Sequence, residues 1–323
     1  MSAVHNSWRP TASIQNLRRR AEILSQIRAF FAERQVMEVD THLLSHCAVS
    51  DPFIDSMQVN YQSLPGGEIT PMFLQTSPEY AMKRLLCAGS GPIYQLAKVF
   101  RNGESGRRHN PEFTLLEWYQ TGFNLPQLMQ EVEALIQLIL PDQSFEYISY
   151  RDVFKRTLQL DPFTASLAEL KAACREQVEA SFEDEDRDTW LNLLMSHLIE
   201  PHLNATFVHS YPPSQAALAN IAQDEYGTRV AARFEVYVRG IELANGYHEL
   251  TDAQEQKRRL KADHDQRKQL GLPTYPLEMR LVHALEQGLP HCSGVALGVD
   301  RLIMLALGCN QIQDVIPFSI DHA

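Results

Sequence analysis

The sequence predicts an α+β fold, an antiparallel β-sheet flanked by helices, and three observations predict it. Residues 93–101 and 112–119 are β-type runs on either side of a polar loop, the pattern of a long hairpin. A second hairpin is legible in 233–247, with its turn at Arg239-Gly240. Amphipathic stretches at 13–34, 125–140 and 252–270 supply helices to cover the sheet. With no repeat, low-complexity tract or linker in the 323 residues, one domain over 1–323 is the simplest architecture.

In chain order, Ile14, Leu17, Ala21, Leu24, Ile27, Phe30 and Phe31 recur at helical spacing behind Ser13, a natural N-cap. Residues 36–44 then switch towards alternation, predicting a strand that joins the core or a dimer contact. Residues 51–61 and 72–74 read as short strands separated by the turn Pro65-Gly66-Gly67. Thr76-Ser77-Pro78-Glu79 opens a helix over 80–88, with Ser77 as cap and Pro78 at the first helical position. After the first hairpin and the helix 125–140 comes 142–205, read as a mostly helical insertion. Its acidic run 181–188 precedes the apolar Trp190, Leu191, Leu193 and Leu194, and predicts a solvated helix start and not a metal site. Strands return at 206–210 and 233–247. A charged helix at 252–270, a strand at 295–299 and an apolar segment at 302–307 close the chain.

Composition bounds the function. The formal net charge of -11 counts against broad nucleic-acid wrapping but leaves room for a local basic pocket. Cys47, Cys87, Cys174, Cys292 and Cys309 are scattered without zinc spacing, which suits a reduced cytoplasmic protein with no structural zinc. Residues 1–10 lack an apolar signal core. Nowhere do about 18 apolar residues run together, so neither secretion nor a membrane span is indicated.

Three constellations carry chemistry. In the loop of the first hairpin, Arg101, Arg107, Arg108 and His109 converge on a segment that Gly103 and Gly106 leave free to approach a ligand, a composition for gripping polyphosphate. A solvated basic turn reads equally well. Glu235, Glu242 and Glu249 recur at intervals of seven. A turn at Arg239-Gly240 pairs Val238 with Ile241 and Tyr237 with Glu242, and brings Glu235 and Glu242 onto one face as diagonal neighbours. Two carboxylates so close repel unless a cation lies between them, and Mg2+ carried by nucleotide phosphates is the natural candidate. Glu249 has the other parity, which a bulge at Gly246 would reverse. Polar residues on the wet face of a hairpin remain the alternative. Last, 293–304 is a small-residue strand feeding a helix at Asp300-Arg301, where a planar ligand can lie against the backbone and Arg301 can stack on it.

Together these residues resemble the class II aminoacyl-tRNA synthetases, and within them the lysyl branch. Phe100-Arg101-Asn102 with His109-Asn110-Pro111-Glu112-Phe113-Thr114 is similar to motif 2, Gly294 through Gly298-Val299-Asp300-Arg301 to motif 3, and 242–253 to the metal- and lysine-binding segment. Lysyl-tRNA synthetases carry an anticodon-binding OB-fold before the motif 1 helix, whereas here that helix begins almost at the start of the chain. A catalytic domain without that reader resembles the elongation factor P–(R)-β-lysine ligase family, as do Thr76-Ser77-Pro78-Glu79-Tyr80 and 293–298. Where lysyl-tRNA synthetases have glycine the chain has Ala296, a reshaping of the amino-acid pocket.

The resemblance implies an ATP-dependent, Mg2+-assisted ligase that forms an aminoacyl-adenylate of (R)-β-lysine, or more weakly of lysine, and passes it to a lysine side chain of elongation factor P. It implies a cytoplasmic homodimer without stable tRNA or membrane binding. A truncated synthetase with a tRNA or small-molecule acceptor, and a regulatory subunit that lost catalysis, are the competing readings. Arg101 would bridge the substrate carboxylate and the α-phosphate. Arg108 and His109 would hold the outer phosphates, Asn110 the adenine edge, and Phe113 and Arg301 the two faces of the base. Asn102, Gly103, Leu243 and Gly298 would complete the ATP site, with Glu235 and Glu242 on the metal. Glu79 would take the backbone-side amine and Glu249 with Tyr119 the side-chain ammonium, with Ser77, Pro78, Asn245 and Ala296 around them. Two positions depart from the motifs. His42 replaces a motif 1 proline, and Gly103-Glu104 stands where motif 2 has Glu first, so that on an extended segment Glu104 would face the other way.

Overall fold

The computed structural model describes residues 8–177 and 185–323. Its strands are β1 (Met37–Glu38), β2 (Leu44–Ser45), β3 (Gln58–Gln62), β4 (Ile69–Leu74), β5 (Ile93–Phe100), β6 (Glu112–Thr121), β7 (Glu146–Ser149), β8 (Thr206–Tyr211), β9 (Ile221–Gln223), β10 (Arg229–Val238), β11 (Ile241–His248) and β12 (Cys292–Gly298). The helices are α1 (Ile14–Glu33), α2 (Glu79–Cys87), α3 (Leu125–Ile139), α4 (Tyr150–Leu158), α5 (Leu167–Gln177), α6 (Arg187–Leu194), α7 (Ala253–Gln269), α8 (Met279–Gln287) and α9 (Val299–Leu307). Among the described residues one nine-stranded sheet runs β1-β5-β6-β12-β11-β10-β8-β7 with β9 beside β10, and β2-β4-β3 form a second, small sheet. The large sheet is antiparallel except at its edges, where β1 pairs with β5 and β7 with β8 in parallel.

Local signals set the helices where the sequence places them. Ser13 Oγ accepts the Asn16 N–H at 3.1 Å to cap α1. Asn124 and Gln127 form a reciprocal capping box on α3, and Asp252 caps α7. The apolar faces of α1, α3 and α9 pack on one face of the sheet, against Trp118, Val236 and Leu297. Phe31 stacks on Tyr94 with centroids 4.4 Å apart. Each fully buried aliphatic side chain here, such as Ile27 or Leu135, contributes roughly 1.5–3 kcal/mol.

The period-two alternation then decides what the opposite face carries. In β6, Leu116 and Trp118 enter that core while Phe113, Leu115, Glu117 and Tyr119 line a cavity on the other side. A buried clasp fixes the three elements to one another. Arg20 of α1 pairs with Asp300 at the start of α9 and donates to Thr114 Oγ1 of β6 at 2.8 Å, while Thr114 N–H donates to Asp300 Oδ2 at 2.8 Å.

Three local expectations are corrected, and the mostly helical 142–205 gains one strand. Of 36–44 only β1 and the first residue of β2 pair. Residues 51–57 form a loop and not a strand, because side chains satisfy its backbone. Asp51 Oδ1 accepts the Phe53 N–H at 2.8 Å, and the buried Arg267 of α7 donates to the Asp51 and Ile54 carbonyls at 2.8 and 3.0 Å. α2 begins at Glu79, with Pro78 as its cap residue and the Glu79 N–H donating to Ser77 Oγ at 3.0 Å. Within 142–205, β7 extends the sheet, while α4, α5 and α6 enclose their own apolar cluster around Tyr150, Phe154 and Trp190. Residues 181–184 of the acidic run lie outside the described residues; at its described end Asp186 caps α6.

Candidate active site

The cavity beneath β6, β10, β11 and β12 has a volume of about 1300 Å³. That exceeds the roughly 300–1,000 Å³ of a typical single-ligand pocket and gives room for two substrates side by side. Its two ends differ in chemistry.

One end is buried and acidic. Glu117, only 2% exposed, accepts hydrogen bonds from Ser77 Oγ at 2.6 Å and Tyr119 Oη at 2.7 Å. Burial, with Glu79 nearby, pushes its pKa up to about 8. Lys83 of α2 is fully buried, and its Nζ reaches Glu79 at 2.7 Å and Glu249 at 2.6 Å. Burial opposes its charge, but the two carboxylates override it and hold the ammonium's pKa above that of an ordinary lysine. Glu249 also accepts from the Gly294 N–H. A Cβ on Gly294 would lie 2.3 Å from the Tyr119 ring and 2.6 Å from Glu249 Oε1, so only glycine lets β12 pass this close. Asn245 and Ala296 face each other across β11 and β12 and line the same end.

The other end is basic and opens to solvent. Arg101, Arg108, His109, Phe113 and Arg301 all line it. Arg101 lies over the Phe113 ring at 5.1 Å, and its buried Nε is a donor without a hydrogen-bond partner. Arg108 Nη1 donates to the Gly240 carbonyl at 3.2 Å, and Arg301 Nη1 to the Glu242 carbonyl at 3.0 Å. Arg301 Nη2 and His109 Nε2 are 2.6 Å apart; desolvation and Arg301 lower the His109 pKa, so its imidazole is neutral and accepts this bond. Between the ends, Glu235 is clamped by Arg233 and by the hydroxyls of Tyr211 and Tyr237. Glu242 is half-exposed and 3.6 Å from Arg301. Desolvation and Glu235 push its pKa up.

The second hairpin has the expected register, Val238 opposite Ile241 and Tyr237 opposite Glu242. Its bulge, however, falls at Leu243 and not at Gly246, since the next pairs are Val236 with Ala244 and Glu235 with Asn245. That one extra residue moves Asn245, Tyr247 and Glu249 onto the face of Glu235 and Glu242. Gly246 has a different cause: a Cβ there would sit 2.4 Å from Phe234 Cζ.

The loop of the first hairpin also departs from expectation. Gly103 turns at φ +77°, so the segment is not extended, and Glu104 lines the cavity 3.6 Å from Arg101. Arg107 instead points away and donates to the Asn310 carbonyl at 2.9 Å. Asn102 donates to Asp55 at 2.8 Å, and Asn102, Gly103 and Pro78 are not on the cavity wall. Asn110 lines the cavity while tying the loop to the chain end, accepting from the Ile320 N–H at 2.9 Å and donating to the Glu112 carbonyl at 2.6 Å. Leu243 and Gly298 border the Arg301 side.

Sequence reasoning missed Glu117, Lys83 and Glu200. A carboxylate two residues before Tyr119 on the same strand face was a usable signal for Glu117. Lys83 carries no motif, and its pairing with Glu249 depends on tertiary packing. Glu200 lies in a short turn without motif; burial, then Glu235 and Glu242, raise its pKa to about 7.

The donor set suits a metal brought in by phosphates more than one caged by protein. Among the described residues no three His, Cys, Asp or Glu side chains are arranged to hold a metal. Glu242 is half-free, and Glu235 can add a ligand oxygen only by sharing it with its present donors. The orphaned Arg101 Nε and the guanidinium groups around it suit an anionic carboxylate and phosphates.

The tRNA synthetases class II (D, K and N) family matches residues 3–322. The chain is 49% identical over 320 residues to the elongation factor P–(R)-β-lysine ligase of Haemophilus ducreyi, covering 98% of this chain and 97% of that one. It is 49% identical to the protein of the same name from Yersinia enterocolitica and 48% to that of Salmonella paratyphi B, each over 322 residues and 98% of both chains. A class II synthetase catalytic sheet, a two-ended cavity and near-full-length similarity to these proteins place the chain in the elongation factor P–(R)-β-lysine ligase family.

Proposed function

We propose that this protein activates (R)-β-lysine, and α-lysine more weakly, with ATP and transfers the aminoacyl group to a lysine side chain of elongation factor P. The observation that carries the reading is one cavity with carboxylates buried at one end and guanidinium groups gathered at the other. A diamino acid spans it in one orientation only. Its two ammonium groups enter among Glu79, Glu117 and Glu249, and its carboxylate is delivered to Arg101. ATP lies on the basic side, with the base between Phe113 and Arg301 and the outer phosphates towards Arg108 and His109.

Carboxylate oxygen attacks the α-phosphorus and pyrophosphate leaves. Arg101, touching both the carboxylate and the α-phosphate, opposes the charge that accumulates there. Mg2+, held through Glu242 with Glu235 behind it, would neutralise phosphate charge when bound. The acceptor amine then attacks the acyl carbon and AMP departs. Ser77 and Tyr119 hold Glu117, and Arg233 with two tyrosines holds Glu235, so the groups that orient the substrates are themselves fixed. A homodimer working in the cytoplasm without stable tRNA binding completes the reading.

ATP–pyrophosphate exchange with α-lysine and β-lysine compared tests the first half. Incubating the loaded enzyme with elongation factor P and with tRNA in parallel tests the second. No exchange with either isomer would overturn the proposal, and transfer to tRNA alone would replace its acceptor.

A further inference from the structure

The acidic end of the cavity contains a group the reaction does not use. Lys83 is fully buried, contacts Glu79 and Glu249, and is not on the cavity wall, so no substrate touches it. Glu79, Glu117 and Glu249 line the wall in front of it. When all three are ionised and Lys83 is an ammonium, the cluster keeps two negative charges. Tyr119 and Tyr247, also there, are neutral, since burial pushes both phenols up. The Cys87 thiol beside Lys83 and the Cys292 thiol beside Glu249 are likewise raised by burial and uncharged.

We propose that Lys83 is a positioning residue acting as a resident cation: it cancels one of three carboxylate charges and fixes Glu79 and Glu249 in place, leaving two charges for a substrate that brings two ammonium groups. The inference rests on the diamino-acid reading above and adds the rule by which the cavity selects. A monoamino acid leaves Glu117 with the proton it already holds and forgoes one charge-assisted bond, and a triamine brings one cation too many, which must shed a proton at a buried site. Lys83 does this without competing for space, because its stem approaches from α2, behind the wall.

The test compares the full-length wild type with Lys83→Met, Glu249→Gln and the double variant, with two readouts. The first is the amino-acid KM for β-lysine by pyrophosphate exchange. Lys83→Met, left with three carboxylates against two ammonium groups, should raise KM roughly tenfold or more while changing kcat less. Its KM should also worsen again between about pH 7 and 9, as the buried carboxylate that must stay protonated ionises, a limb the wild type lacks. The second readout needs no substrate. The melting-temperature deficit of Lys83→Met should be larger at pH 8 than at pH 5, and Glu249→Gln should destabilise the wild type but stabilise the Lys83→Met background. A pH-independent deficit, or a double variant no more stable than Lys83→Met, would overturn the role of Lys83 as a cation. Where Lys83→Met does not fold, recovery of folding in the double variant supports the proposal and its failure overturns it. Wild type inactive with both lysine isomers would refute the substrate reading instead, and the melting comparison would still decide on Lys83.

Discussion

The two ends of the cavity are built on opposite plans. At the acidic end Lys83, Glu117 and Glu249 are at most 2% exposed and already partnered, Lys83 with Glu249 and Glu117 with the Ser77 and Tyr119 hydroxyls. At the basic end Arg301 keeps a side-chain exposure of 24%, with Glu242 beside it at 40%, and the Arg108 and Arg301 guanidinium groups rest on backbone carbonyls that a phosphate can replace. A buried, prepaired end discriminates by the penalty of leaving a charge uncompensated. An open end with exchangeable partners serves a ligand that enters and leaves as ATP, pyrophosphate and AMP. Recognition and turnover are thereby assigned to different walls of one cleft.

The sharpest way to break that division is Arg101→Ala. Loss of a charge-stabilising donor costs about 10²–10³ in kcat, so pyrophosphate exchange should fall at least that far. A variant that kept kcat and lost only amino-acid affinity would move Arg101 to the other end. Next is Glu249→Ala. A lost charge-assisted hydrogen bond of about 1.5–3 kcal/mol raises the amino-acid KM roughly 10- to 100-fold, with the KM for ATP nearly unchanged. Equal ATP defects in both variants would erase the distinction.

A third expectation is a pH dependence. Glu117 must lose its proton before it can receive an ammonium, and its pKa stands at about 8. Amino-acid affinity should therefore improve as pH rises towards about 8, by at most about tenfold per unit, and then level; Glu117→Gln should flatten the profile. The sign for stability is opposite. The folded protein keeps this proton where an unfolded chain would release it, so this group favours the native state most below the ordinary carboxylate range, and that support is lost as pH rises to about 8. Melting curves without substrate read it directly. The smallest effect is assigned to Asn102→Ala. Its side chain faces Asp55 and not the cleft, so the KM for ATP should change less than about threefold, while stability falls by about 0.5–1.5 kcal/mol.

Most of this plan was legible because hairpins announce themselves by alternation and a two-residue turn. Arg101, His109, Phe113, Glu242, Glu249 and Arg301 all reach the predicted cavity. What escaped depends on partners far along the chain or on torsions the alphabet does not spell. Residues 51–57 looked like a strand until Arg267, more than 200 positions later, supplied donors for their carbonyls. Glu104 reaches the cleft only because Gly103 turns left-handed. Lys83 escaped because its second partner, Glu249, lies far along the chain and only tertiary packing buries the pair.

The bulge at Leu243 sets a rule of arithmetic for this fold. Seven is odd and a strand counts in twos, so Glu242 and Glu249, seven apart on one strand, reach one face only because one residue is left out of the count. Sequence length beyond the bulge, across 245–249, is thus as constrained as sequence identity. Losing the extra residue at the bulge itself would leave the faces as they are, but removing one beyond it would turn Glu249 from the cleft towards the core, or pull the bulge straight and turn the side chains before the gap instead. Substitutions can drift through this segment; a one-codon deletion beyond the bulge cannot.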